Sequence, residues 1–157
     1  MKKTKIKFLF LAMLIGSMTI LTTSCAKEKG CTDPASINWN VDAEEDDGSC
    51  EYVGSVVFWY DKETSDTLLA YDVTELNYYV DDTLIGSWDA SDYWTAAPVC
   101  GEGITEIKFL GNVKNKTCTY SVKEQYGDEV WELWSGVVNF EANTCPAIQL
   151  KQEDIKW

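Results

Sequence analysis

The sequence has 157 residues, with 13 lysines, 26 acidic residues, no histidine and no arginine, for a formal net charge of −13 at pH 7. The missing histidine excludes Ser-His-Asp and Cys-His nucleophile systems and the usual zinc sites, and the missing arginine removes the planar clamp for phosphate. The acidic balance repels nucleic acid and anionic lipid, while it attracts divalent cations and basic proteins.

Lys2, Lys3, Lys5 and Lys7 precede an almost unbroken apolar run over residues 8–20, and Leu21-Thr22-Thr23-Ser24 sets small residues before Cys25. That order is the order of an export signal. It resembles the lipobox of bacterial lipoproteins, in which the cysteine is acylated and becomes the new N-terminus. Thr22 stands where that pattern usually has an apolar residue, and Leu21 lies one place further out. The resemblance implies a signal peptide over 1–24, lipid on Cys25 and a polar tether over 25–30. A cleaved signal without lipid and a single transmembrane helix are the alternatives, and the apolar run is short of the roughly 20 residues that a span needs. Several acyl chains on one cysteine hold a protein firmly to a membrane, where one chain binds only marginally. Ala26 offers no acidic residue after the lipid site, which by analogy with sorting rules favours the outer membrane within the cell envelope. Beyond Cys25 nine lysines face 26 acids, a formal −17.

Residues 31–52 are compositionally distinct. Gly30 to Pro34, Asn38, Asn40, Ala43, Asp46 to Cys50 and Tyr52 match a motif that recurs in exported proteins of Bacteroidota, with Trp39 where tyrosine is usual. The segment resembles that Gly-Cys-Thr-Asp-Pro…Asp-Asp-Gly-Ser-Cys element and carries one copy. A Cys31–Cys50 bridge would close a loop of about 20 residues and stabilise it by roughly 3 kcal/mol, a staple that so small a segment needs. Asp33, Asn38, Asn40, Asp42, Asp46 and Asp47 form an oxygen-rich set of the kind that calcium uses. The spacing is not that of an EF-hand, and the same residue types also serve turns and caps.

From residue 53 onward the pattern is that of short strands. Residues 55–60 are β-branched and aromatic, and 68–73 read as a second strand. Residues 76–80 and 83–88 flank Asp81-Asp82 as a tight hairpin. Residues 94–99 form a further strand or an ordered loop, 104–110 alternate, and Cys118, Tyr120 and Val122 share one face of the next strand. Gly127-Asp128 turns into 130–140, and 147–150 close the domain. No amphipathic helix is long enough to name. The expected fold is all-β: an antiparallel β-sandwich over 53–157, immunoglobulin-like or transthyretin-like, preceded by the small disulfide-closed acidic motif.

This stretch also resembles an uncharacterised domain of Bacteroidota lipoproteins, through Val57 to Trp59, Tyr79 to Gly86, Tyr93-Trp94, Pro98 to Gly101, Thr119-Tyr120-Ser121, Trp134-Ser135-Gly136 and Asn143 to Cys145 with Leu150. The resemblance implies a Cys100–Cys145 pair and leaves Cys118 as a buried free thiol, with Cys118–Cys145 as the alternative. Tyr78 and Tyr79 point to opposite faces, so one of them is core, and Trp131 and Trp134 differ in parity as well. Most large aromatics are expected in the core, but Trp88, Asp89, Asp92, Tyr93 and Trp94 place two carboxylates among indoles and are the predicted ligand-binding loop. Asp89 and Asp92 also read, less well, as a glycosidase pair; no catalysis is expected. The expected function is a non-catalytic binding module for glycan or protein at the cell envelope, with a structural lipoprotein packing on a protein partner as the alternative.

Overall fold

The computed structural model describes residues 27–157; the signal segment and Cys25, with its expected lipid, lie outside the described residues. Two short strands open the chain, β1 (Lys29–Gly30) and β2 (Glu45–Asp46), paired in parallel. Strand β3 (Tyr52–Trp59) follows, then helix α1 (Lys62–Ala70), β4 (Glu75–Val80) and β5 (Thr83–Asp89). The chain ends with β6 (Ile104–Gly111), β7 (Asn115–Tyr126), β8 (Glu129–Glu141), β9 (Ala147–Gln149) and a 3-10 turn at Gln152–Asp154. Two sheets, ordered β6-β3-β9 and β5-β4-β7-β8, pack together around one core.

Alternation builds that core. Tyr52, Val56, Phe58 and Tyr60 point inward from β3 and the residue beyond it. Leu76, Tyr78 and Val80 do so from β4, Cys118 and Val122 from β7, and Trp134, Val138 and Phe140 from β8. Phe58 bridges the sheets, with its ring centroid 6.0 Å from Tyr78 and 5.2 Å from Tyr120. Tyr78 is the buried member of its pair; Tyr79 faces out beneath the Lys123 ammonium. Gly54 lies where β3 meets the end of β8, and a Cβ there would sit 2.8 Å from the Glu141 carbonyl oxygen, so the close approach demands glycine.

The fold is all-β in the main, with two differences from expectation. The segment expected as a strand over 68–73 is instead the end of α1 and its cap. The buried face of the helix is Thr64, Ser65 and Leu68, so two of its three inward residues are polar and no apolar 3.6-residue period shows in the sequence. Thr64 Oγ1 donates to the Leu150 carbonyl and Ser65 Oγ to the Ala90 carbonyl, which lets small hydroxyls stand in for aliphatic packing. The second difference is direction. The chain leaves β8, crosses to the other sheet and enters β9 parallel to β3, with Val57 opposite Ala147 and Trp59 opposite Gln149. The crossing segment prepares that pairing, because Ser55 and Val57 already donate their amides to the Thr144 and Pro146 carbonyls. Residues 94–99 form a loop, one of the two forms expected of them.

The acidic motif is part of the same body. Cys31 and Cys50 are disulfide-bonded and lie in one buried cluster with Tyr52, the first residue of β3. Asn143 Nδ2 donates to the Ala35 carbonyl, and Lys114 pairs with Asp33, so the open end of the β7–β8 pair holds the motif in place. Cys100 and Cys145 form the second disulfide, and Cys118 is free and buried. No helix among the described residues is long and apolar enough to cross a membrane.

Candidate functional site

A cleft of about 520 Å³ lies between the end of α1, the far half of the β7–β8 hairpin and the segment after the 3-10 turn. Three local features build it.

The first is the end of α1. Asp72 adopts φ 62°, and its amide donates to Leu69 while the Val73 amide donates to Leu68. This is a Schellman arrangement, completed by the buried contact layer of Leu68 and Val73. It turns the chain sharply and leaves Tyr71 and Asp72 standing at the rim of the cleft.

The second is a bulge in β8. Val122 lies opposite Trp134 but Lys123 lies opposite Glu132, so Leu133 is the extra residue. From Trp134 onward the even residues of β8 face the core; before the bulge the odd ones share that side. Trp131 and Trp134 therefore face the same side although their spacing is odd. The pairing of β4 with β7 reaches only to Lys123, so the hairpin continues past the sheet and its inner face is left partly uncovered. Glu124, Tyr126, Glu129 and Trp131 lie on that uncovered face, with Leu133 as the buried residue beside them.

The third is the segment 155–157. The Lys156 amide donates to the Leu133 carbonyl, which aligns the segment with the edge of β8. Lys156 Nζ pairs with Glu132 at 2.8 Å and also donates to Ser135 Oγ. Trp157 then stacks on Tyr71, centroids 4.2 Å apart and planes inclined by 28°. Tyr71, Tyr126, Trp131 and Trp157 are all more than half exposed, at 63%, 70%, 51% and 57%. Partial burial pushes the Glu124 carboxyl above its ordinary range.

The predicted binding loop has a different character. Trp88 and Trp94 stack on each other, centroids 5.0 Å apart, and Trp94 meets Tyr60 edge-on. Gly103, at φ 64°, lies directly beneath the Trp94 ring, where a Cβ would come within 2.6 Å. Trp88 Nε1 donates to the Asp92 carbonyl, and Asp89 Oδ1 accepts from the Ser91 amide and hydroxyl, which holds the Asp89 carboxyl below its ordinary value. Tyr93 stands half-exposed under the Lys62 ammonium. The five residues are brought together, with much of their stacking surface and hydrogen-bonding capacity turned on one another. An open recess remains along Trp88, Asp92, Tyr93, Trp94 and Glu102.

The six expected calcium donors each have a local partner or stand alone. Asp33 accepts from the Ala35 amide and the Tyr52 hydroxyl and pairs with Lys114, and the Lys114 ammonium holds its carboxyl down at about 2. Asn38 joins the Ser49 carbonyl to the Glu51 amide. Asn40, Asp46 and Asp47 accept from the amides of Asp42, Gly48 and Ser49, each two residues on, while the Asp42 side chain accepts no hydrogen bond. These are turn and bracing roles. Among the described residues no three His, Cys, Asp or Glu side chains converge as a metal site.

Residue patterns alone did not single out Tyr71, Tyr126 or Trp157. The one available signal was the odd spacing of Trp131 and Trp134, which pointed to an unusual environment for one of them. No protein-family model matches the chain, and no curated protein and no solved structure matches it either.

Proposed function

We propose that this chain is an exported lipoprotein, anchored through Cys25 to the outer membrane of the cell envelope, whose folded part is a non-catalytic glycan-binding module. In this proposal its two packed sheets are a sandwich of the immunoglobulin-like or transthyretin-like kind. The observation that carries the binding function is the cleft rimmed by four exposed aromatic rings. Aromatic faces stack on the apolar faces of sugar rings, and exposed rings of this size clustered on one surface mark a binding site. Its volume lies within the range of ligand pockets, about 300–1,000 Å³.

The position of the cleft supports the anchor. β7 starts beside Lys114, which grips the acidic motif, and ends at Tyr126 in the cleft. Its twelve residues span roughly 35 Å. The motif that follows the tether meets one end of β7 and the cleft lies at the other, so in this proposal the cleft faces away from the membrane. A glycan array probed with the full chain tests the proposal. Retention on carbohydrate that Trp131→Ala and Tyr71→Ala both abolish, with melting temperatures unchanged, is the expected result. Carbohydrate binding that survives both substitutions would move the site elsewhere, the Trp88 to Trp94 recess first.

A second reading rests on a separate observation. Ile107 and Phe109, 66% and 56% exposed, project from the outer face of β6 beside Ser55 and Val53. That apolar strip suits packing on an envelope protein, as a structural or accessory lipoprotein would. In-cell crosslinking from position 107 that captures one defined partner, and loses it with Phe109→Lys, is the outcome that favours it.

A further inference from the structure

Resting on the glycan reading of the cleft, we infer that its ligand is an amino sugar carrying a free ammonium group, and that the cleft discriminates against N-acetylated and neutral sugars.

The inference follows from which acids remain unengaged. Several carboxylates elsewhere in the molecule have work within the fold. Asp33 and Asp81 hold Lys114 and Lys108, Asp61 caps α1, and Asp46, Asp47 and Asp89 cap turns. Asp72, Glu124 and Glu129 have no such partner and share one place: all three line the cleft, and their side chains accept no hydrogen bond from another described residue. They come from two separate elements, the α1 cap and the hairpin, so they surround the space rather than line one strand. Among the described residues the one cation in the lining is Lys156, and its charge is already met by Glu132. The cleft therefore presents three unanswered negative charges next to four exposed aromatic rings.

These two features select different parts of one ligand. An indole or phenol face accommodates the C–H face of a pyranose and attracts an adjacent ammonium through its quadrupole. A carboxylate accepts charge-assisted hydrogen bonds from that ammonium, and these are about twice as strong as neutral ones. An N-acetyl group removes the charge and leaves a carboxylate facing an amide. A neutral sugar leaves the partly buried Glu124 carboxylate without a counter-charge, which a cationic ligand would supply. A simple cation or a basic peptide satisfies the acids but gives the rings no flat apolar face to stack on.

Calorimetric titration of the full chain with four hexamers tests this: glucosamine, N-acetylglucosamine, glucose in β-1,4 linkage, and lysine. We expect the glucosamine hexamer to bind at least tenfold more tightly than the other three. The preference should shrink as salt is raised, because the extra attraction is electrostatic. Glu124→Gln with Glu129→Gln should bring glucosamine down to the level of the neutral hexamers and leave those unchanged. Trp131→Ala should weaken every sugar and leave the lysine hexamer unaffected. Equal binding of all three sugars would overturn the amino-sugar inference and leave glycan binding standing. A lysine hexamer as tight as glucosamine would overturn it in favour of simple charge attraction. Absence of binding by any sugar would overturn both it and the glycan reading. Because the side chains of Glu124, Glu129 and Trp131 make no hydrogen bond with another described residue, circular dichroism melts of these variants should match the parent and exclude misfolding as the cause.

Discussion

Asp33 accepts from the Tyr52 hydroxyl and the Ala35 amide and pairs with Lys114, while Asp81 holds Lys108 at 2.6 Å and accepts the Thr119 amide. Both carboxyls titrate at about 2 against an ordinary 3.8, the lysine partner being the main cause in each. A depressed carboxyl contributes stability that is complete above its unfolded value and is lost as pH falls through its folded value. The melting temperature should therefore drop between about pH 4 and pH 2, and Asp33→Asn with Asp81→Asn should flatten that drop relative to the parent. A parallel pH profile in the double variant would remove these two residues from the acid response. Asp72 sits at φ 62°, a conformation that penalises any residue with a Cβ. Asp72→Gly should raise stability by up to about 1 kcal/mol in a chemical melt while weakening a cationic ligand, so the two readouts move in opposite directions.

At the scale of elements, α1 depends on its first turn more than on its apolar content. Asp61 Oδ1 accepts the Thr64 amide, which closes the start of the helix. Asp61→Ala should cost about 1 kcal/mol and raise amide exchange selectively over Lys62–Ala70. Uniform exchange across the sheets instead would show that the helix does not open on its own. Phe58 is the corresponding element-level contact between sheets: it is fully buried and touches rings on β4 and β7. Phe58→Ala should cost about 3–5 kcal/mol in an equilibrium denaturant melt.

For the whole molecule, the two disulfides tie together segments far apart in sequence. Cys31–Cys50 has a separation of 19 and Cys100–Cys145 a separation of 45. Loop-closure entropy assigns them about 3 and about 4 kcal/mol respectively. Replacing each pair by serine and measuring urea unfolding should give the larger loss for Cys100–Cys145, provided the native packing persists. Because Cys31 and Cys50 share a buried cluster with Tyr52 and β3, loss of the first bridge should also lower the cooperativity of the whole transition rather than release the motif alone.

Local chemistry was legible where a residue's neighbours in sequence decide its conformation. Asp81-Asp82 turns between β4 and β5 with both residues at positive φ, 47° and 60°, and Gly127 turns between β7 and β8 at 61°. Alternation in β3, β4 and β7 identified the inner face, since a strand with one side buried must repeat every second residue. The motif's dense Asn and Asp content announced turns as readily as it announced metal ligands, and both readings use the same atoms. What the sequence could not express was decided by contacts between distant segments. α1 was hidden because hydroxyls bonded to the Leu150 and Ala90 carbonyls take the place of apolar residues. The parallel course of β9 depends on how the crossing segment pairs with Ser55 and Val57. The cleft needs a bulge at Leu133, an overhanging hairpin and Trp157 brought onto Tyr71, residues 86 positions apart. The sequence by itself determined a cysteine-stapled, acidic, strand-rich chain. Only the tertiary structure decided which aromatic rings are exposed and which carboxylates remain unpaired, because burial and pairing belong to the packed whole and not to any single stretch of residues.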